Sequence, residues 1–431
     1  MIEFLYICFS VFFLCLLVFV PINNIFFIKE KNLEINIFDY TTLNILVFSN
    51  IILIFAILKI SISSSVYIFY LLIFLTIFFF NKFIKNNIFK KKVYYYFSFL
   101  FLIFFILSID IAYYLTLGWD AQSIWFPKAI SFYNDESLSE ISKFSRHPEY
   151  PFFGSLSWAF FWKFFHLEKE YVGRFFYLLI FLISIFNFVD ILRISRNKKF
   201  LLSLVFISLI YDYWHFRGYQ EIIIFSLILI ISKYLYFIFC ENQTKIKFLI
   251  IILISSNLVI WTKNEGIFFI LFIHFLLLFS KYEKKIKVLN IILILILISF
   301  RFLIYKIYNL EVGLQDNYNF SNIFIVFLEN LTLSNIILIT ENIFLTIFKF
   351  PIILISLIFS LILLFNKSVI KNILFVYIYL LIHLGFIFII YLSTSTDVNW
   401  MVVTGLNRVF FETSSIYLLF PISYLKKKFK I

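Results

Sequence analysis

Charge is the first thing this sequence is short of. Only 14% of its 431 residues are Asp, Glu, Lys or Arg, where a soluble domain carries about a quarter. With 63% hydrophobic residues it is equally far from a disordered chain. Eight glycines and six prolines are few for the length, so helix breaks are rare and their positions are informative. Three cysteines, Cys8, Cys15 and Cys240, make no disulfide framework. The net charge of +13 is spread between apolar runs and not gathered into a patch, which argues against a nucleic-acid partner.

What is present is hydrocarbon, with a mean hydropathy of +1.00. Apolar runs lie near 2–21, 42–60, 63–80, 94–115, 151–166, 171–190, 200–216, 222–240, 248–262, 267–280, 288–305, 342–365, 372–391 and 406–424. Many approach the ~20 residues that a helix needs to cross a bilayer, and their continuity is unlike the alternation of a β-barrel. The expected fold is an all-α polytopic membrane protein of roughly 13 transmembrane helices. The first run lacks a basic flank and a small-residue cleavage site, and reads as a retained helix.

Charge asymmetry orders these runs. Putting the lysine-rich tail inside also puts the basic connectors 82–92, 193–199, 241–247 and 281–287 inside. The polar windows around Asp120, 212–221, 263–266, 306–341 and Asp397 then all fall outside. This arrangement needs an odd number of crossings between 151 and 190, so 151–166 is expected not to cross fully. It also places the N-terminus outside.

The longest window, 117–151, contains GWDAQSIWFPKAISFYNDESLSEISKFSRHPEYP. Asp120 stands at the outer end of a membrane run. A carboxylate there either marks the helix end or, in low-dielectric surroundings, serves as a base. Lys128 lies about two helical turns on, where it faces a lipid phosphate or rests as an interfacial lysine. The tracts AQSIWFPKAISFY and SLSEISKF have helical spacing and suit short amphipathic helices, with Trp125, Phe126 and Phe132 toward lipid. Arg146, His147 and Glu149 sit on a segment stiffened by Pro148 and Pro151. Such a segment can aim side chains at a substrate or lead rigidly into the next membrane run.

Three further windows carry unusual charge. YDYWHFRGYQE supplies Asp212, His215, Arg217 and Glu221; charges at the end of a spanning run are functional or mutually paired. WTKNEG sets Lys263, Asn264 and Glu265 in a tight turn, where lysine can hold a phosphate as a point charge or pair within the turn. STSTDVNWMVVTGLNRVFF contributes Asp397, Trp400 and Arg408. An outer arginine opposes the positive-inside trend, and an anionic headgroup or phosphate accounts for it economically. No HExxH or CxxC pattern points to zinc. His166, His274 and His383 lie in apolar runs as packing or hydrogen-bonding residues, and SNIFIVFLENLTLSN reads as a surface-lying helix or a pore-side segment.

Taken together, GWDAQSIWFPKA, HPEYP, YQE, WTKNEG and TDVNW…LNR resemble the integral-membrane glycosyltransferases of the GT-C fold. The nearest likeness is to the bacterial mannosyltransferase and lipid A aminoarabinose transferase group. It covers about 110–425, so that 1–92 forms membrane helices outside the motifs and 93–431 the GT-C-like catalytic domain. The resemblance implies that Asp120 acts as general base in the first extracytoplasmic loop and that Glu221 matches an acid of a later loop. It implies a polyprenyl-phosphate sugar donor, a glycan, lipid or protein acceptor, and a bacterial inner (plasma) membrane setting with the active side extracytoplasmic. Two departures stand out: Ala121 follows Asp120 where a second acid is usual, and Glu221 replaces the commoner Asp. No cofactor is assigned, and a divalent metal ion stays open because the paired acids that would hold it are incomplete. A transporter or flippase of lipid-linked glycans, or a polymerase or ligase of surface polysaccharide, are the alternative readings.

Overall fold

The computed structural model describes residues 2–20, 36–83, 87–144, 147–310 and 322–428, and every regular element among them is helical. The chain opens with α1 (Ile2–Phe19), α2 (Ile37–Ile57), α3 (Ile62–Phe83) and α4 (Asn87–Tyr113). A π-helical turn at Ala121–Trp125 runs into α5 (Phe126–Tyr133), and α6 (Leu138–Phe144) follows. Then come α7 (Phe153–Phe164), α8 (Tyr171–Val189), α9 (Arg196–Ile210) and α10 (Glu221–Phe239). Next are α11 (Ile246–Ile260), α12 (Glu265–Leu276) and α13 (Lys284–Ile307). The chain closes with α14 (Ile323–Asn330), α15 (Leu333–Lys349), α16 (Pro351–Leu364), α17 (Lys367–Leu392), α18 (Val398–Thr413) and α19 (Leu419–Lys428).

Seven of the described helices are long and apolar enough to cross a membrane, or eight if α14 and α15, bent by 86°, form one span. This is fewer than the roughly 13 expected from apolar runs, because several runs fold into short helices. The α7 helix has 12 residues, about 18 Å at 1.5 Å per residue, against a hydrocarbon core of ~30 Å. The run 342–365 is split at Phe350, where Pro351 starts α16 in the one place a missing N–H costs little.

At the centre stands α8, every residue of which is buried. It packs against α10, α7, α4, α9 and α2. One apolar cluster extends from Ile7 to Ile422, so residues before and after 93 share a core. Arg174, inside α8, donates to the Phe216 carbonyl at 3.2 Å and to Glu170 at 2.9 Å. These two bonds, one of them to a carboxylate, offset the cost of a charge this deep.

The loop helix α5 packs on α7. For this reason the lipid-facing orientation expected of Trp125, Phe126 and Phe132 is corrected: Trp125 and Phe132 are buried, and Phe126 stacks on Trp162 at 6.2 Å. The loop is pinned further by Asp135, which accepts from the Ser63 amide at 2.8 Å and from Lys163 at 2.7 Å.

Candidate active site

Backbone contacts draw three polar windows together at one end of the bundle, and the Arg408 side chain joins a fourth to them. The Gly118 N–H donates to the Arg217 carbonyl, and the Phe153 N–H to the Trp261 carbonyl, both at 2.9 Å. Gly118 is required by this approach, since a Cβ there would collide with the Tyr219 ring. Gly218, at φ +86°, takes a conformation that strains any other residue.

The convergence assembles a chain of ion pairs. Arg408 Nη1 pairs with Asp120 Oδ2 and lies 3.9 Å from Glu221 Oε1. Lys263 Nζ is 3.3 Å from Glu221 Oε1, 2.9 Å from Glu412 Oε2 and 3.8 Å from Glu265 Oε1. The side chains grade inward, from Asp120 at 22% exposure through Arg408 at 19% and Glu221 at 4% to Glu412 at 0%. The Arg408 guanidinium also lies over the Tyr219 ring at 5.5 Å. Burial pulls the Lys263 ammonium down, but Glu221, Glu265 and Glu412 outweigh it and hold its proton well above lysine's ordinary range.

Beside this chain, Lys128 is buried and donates to the Tyr150 carbonyl at 2.7 Å, so it points into the protein and not toward lipid. Burial pushes it down to about 7, opposed by the nearby charge of Glu149 and helped by that of Arg301. Glu149 is buried, and its Oε1 lies 3.0 Å from His147 Nδ1. Arg301 donates to the Ile260 carbonyl at 2.6 Å and to the Asn264 side chain, which fixes the WTKNEG turn. The assembly therefore sets four basic side chains, Lys128, Lys263, Arg301 and Arg408, against five carboxyl groups, Asp120, Glu149, Glu221, Glu265 and Glu412. Burial raises the Glu412 carboxyl well above the usual carboxylate range, so the inner end of the cluster is suited to hold a proton. Among the described residues no three of His, Cys, Asp and Glu converge as metal ligands.

The remaining candidates are placed as follows. Arg217 donates to the carbonyls of Thr116 at 3.2 Å and Leu117 at 3.3 Å, latching its window to the first loop. Asp212 caps the short turn at Tyr213–Phe216 by accepting from the Trp214 amide. His215 is buried flat against Phe411, ring centroids 3.9 Å apart, and burial lowers it to about 4, so it stays neutral. Asp397 caps α18 through the amides of Asn399 and Trp400, and Trp400 is exposed. Arg146 lies outside the described residues. His274 and His383 bridge side chains inside the bundle, to Ser256 and Asn290 and to Tyr417 and Thr413 respectively, while His166 is exposed at a turn.

Two members of the network were missed, Arg301 and Glu412. Arg301 is enclosed by apolar neighbours in ISFRFLI, and Glu412 closes the apolar tract VFF before Thr413 and Ser414; the cost of a charge at such a place in a bilayer is the signal that marks them. The chain has no match among protein-family models, curated proteins or solved structures.

Proposed function

We propose that this chain is an inverting glycosyltransferase with a GT-C-like bundle, moving a sugar from a polyprenyl-phosphate donor to an acceptor hydroxyl on the extracytoplasmic side. The observation that carries the reading is the pairing of Asp120 with Arg408 at the rim of a charged cluster that deepens into the bundle. A carboxylate there can take the acceptor proton, and a guanidinium beside it can meet a phosphate. The acceptor oxygen attacks the anomeric carbon on the face opposite the phosphate. The bond from that carbon to the phosphate oxygen breaks, its electron pair leaves with the phosphate, and Arg408 stabilises the departing charge. Inversion follows from a single displacement.

Lys263 acts as a positioning residue in this scheme. Three carboxylates already surround its ammonium, so it holds Glu221 and, through Glu221, the Arg408 side chain.

One observation favours a second reading. Carboxyl groups graded from rim to core along a chain of ion pairs also suit proton-coupled movement of a lipid-linked glycan. Vesicles holding the purified chain, given polyprenyl-phosphate sugar labelled in the sugar and an acceptor glycan, separate the two. Transfer of label to the acceptor, lost in Asp120→Asn, supports the transferase. Movement of intact donor across the bilayer with no transfer product replaces it with the transporter.

A further inference from the structure

The opposite end of the bundle holds a second charged assembly, independent of the reading above. Glu221 begins α10 at the acidic cluster, and Lys233 lies twelve residues on, about 18 Å along the helix. Its ammonium is fully buried and donates to Asp39 at 2.6 Å, Asn187 at 2.7 Å and Asp190 at 3.0 Å. Asp190 in turn pairs with Lys199. Lys233 thus neutralises much of the acid beneath the surface, and the rim above carries the remaining charge.

That rim borders a cleft of about 640 Å³, within the range of ligand sites. Its lining includes Arg193, Lys199, Lys245 and Lys247 against Asp39 and Asp190; Arg193 pairs with Glu241 at 2.9 Å, and with Lys233 behind the cleft the local balance is still positive. Phe237 and Phe248 form an aromatic wall, their centroids 5.5 Å apart, with the Lys245 and Lys247 ammonium groups 5.8 and 5.7 Å from the Phe248 ring. The cleft opens beside apolar side chains that face outward: Leu201 on α9 is 64% exposed and Ile246 on α11 61%. A soluble anion gains nothing from those flanks, whereas acyl chains would bury against them. Basic pockets between membrane helices are suited to anionic headgroups for this reason.

We propose that this cleft binds the phosphate headgroup of an anionic phospholipid, Lys245 at the start of α11 and Lys247 in its first turn holding the phosphate and the outer faces of α9 and α11 taking the acyl chains. The full chain in phosphatidylcholine nanodiscs is titrated with phosphatidylglycerol, and bound lipid is counted by native mass spectrometry. Phosphatidylglycerol is expected to be retained over phosphatidylcholine. The double variant Lys245→Gln/Lys247→Gln should weaken it on the order of 30-fold, from two charges near the surface, and Lys245→Arg/Lys247→Arg should restore it. Equal retention of the two lipids, or undiminished binding in the Gln variant, overturns the proposal. Displacement of phosphatidylglycerol by an equal concentration of inorganic phosphate assigns the site to a soluble anion and overturns it as well.

Discussion

Removing the ammonium at the middle of the acidic cluster is the most informative perturbation of stability. Lys263→Met leaves Glu221, Glu265 and Glu412 without their shared cation, at 4%, 23% and 0% side-chain exposure. Each unit-charge pair near 3–4 Å is worth about 4 kcal/mol at an effective dielectric of ~20. The gross attraction at Lys263 is then on the order of 10 kcal/mol, before carboxylate repulsion and desolvation are subtracted. Breaking a buried pair by deleting one partner costs about 3–5 kcal/mol net, and that is the loss expected here. Equilibrium unfolding of the full chain in detergent micelles measures it. The deficit should shrink at pH 5 relative to pH 8, because protonation relieves the orphaned carboxylates. Adding Glu412→Gln to Lys263→Met should recover roughly 1–3 kcal/mol, the coupling of groups in direct contact. A single variant within about 0.5 kcal/mol of wild type, the scale of a neutral surface change, or a double variant no better than the single, refutes the assignment of Lys263 as the hub.

Other outcomes follow from the same geometry. Asp120→Asn should lower kcat for sugar transfer by about 10²–10⁴-fold, the range of general-base catalysis, with donor KM little changed; a loss confined to KM contradicts a base at this position. Lys128→Met should be more stable than wild type at pH 7 and lose that advantage as pH rises. The folded lysine gives up its proton near 7 while the unfolded one keeps it to about 10.4, so between these values rising pH favours the wild-type fold. The difference should narrow by about 1.4 kcal/mol per pH unit, and a constant difference from pH 7 to 9 removes the claim that Lys128 is buried. Gly118→Ala should impair transfer and thermal stability together, because its methyl group displaces the Tyr219 ring beneath Arg408; wild-type values in both assays oppose that close approach.

The helices were legible where apolar runs ended at charge or at a turn. Glu221 and Lys284 start α10 and α13 within a few residues of the expected runs. The charged windows were legible for the same reason, since a carboxylate or a guanidinium at the border of a hydrocarbon run is costly and needs a partner. Which partner it meets was not legible. Arg408 and Asp120 are 288 positions apart, and no local pattern encodes a contact at that separation. Helix phase was hidden as well: Lys128, Trp125 and Phe132 occupy an amphipathic stretch whose apolar face meets α7 and not the bilayer. Lys233 and Glu412 were not legible because each is a single charge inside a long, mostly apolar run, 222–240 and 406–424 respectively.

The most direct test is a cryo-electron-microscopy map of the protein with a non-cleavable polyprenyl-phosphonate sugar. Phosphonate density within hydrogen-bond reach of Arg408, with the anomeric carbon facing Asp120, is the result this account predicts. Donor lodged in the basic cleft beside Lys245, or anywhere that leaves the Asp120–Arg408 pair unengaged, would contradict it.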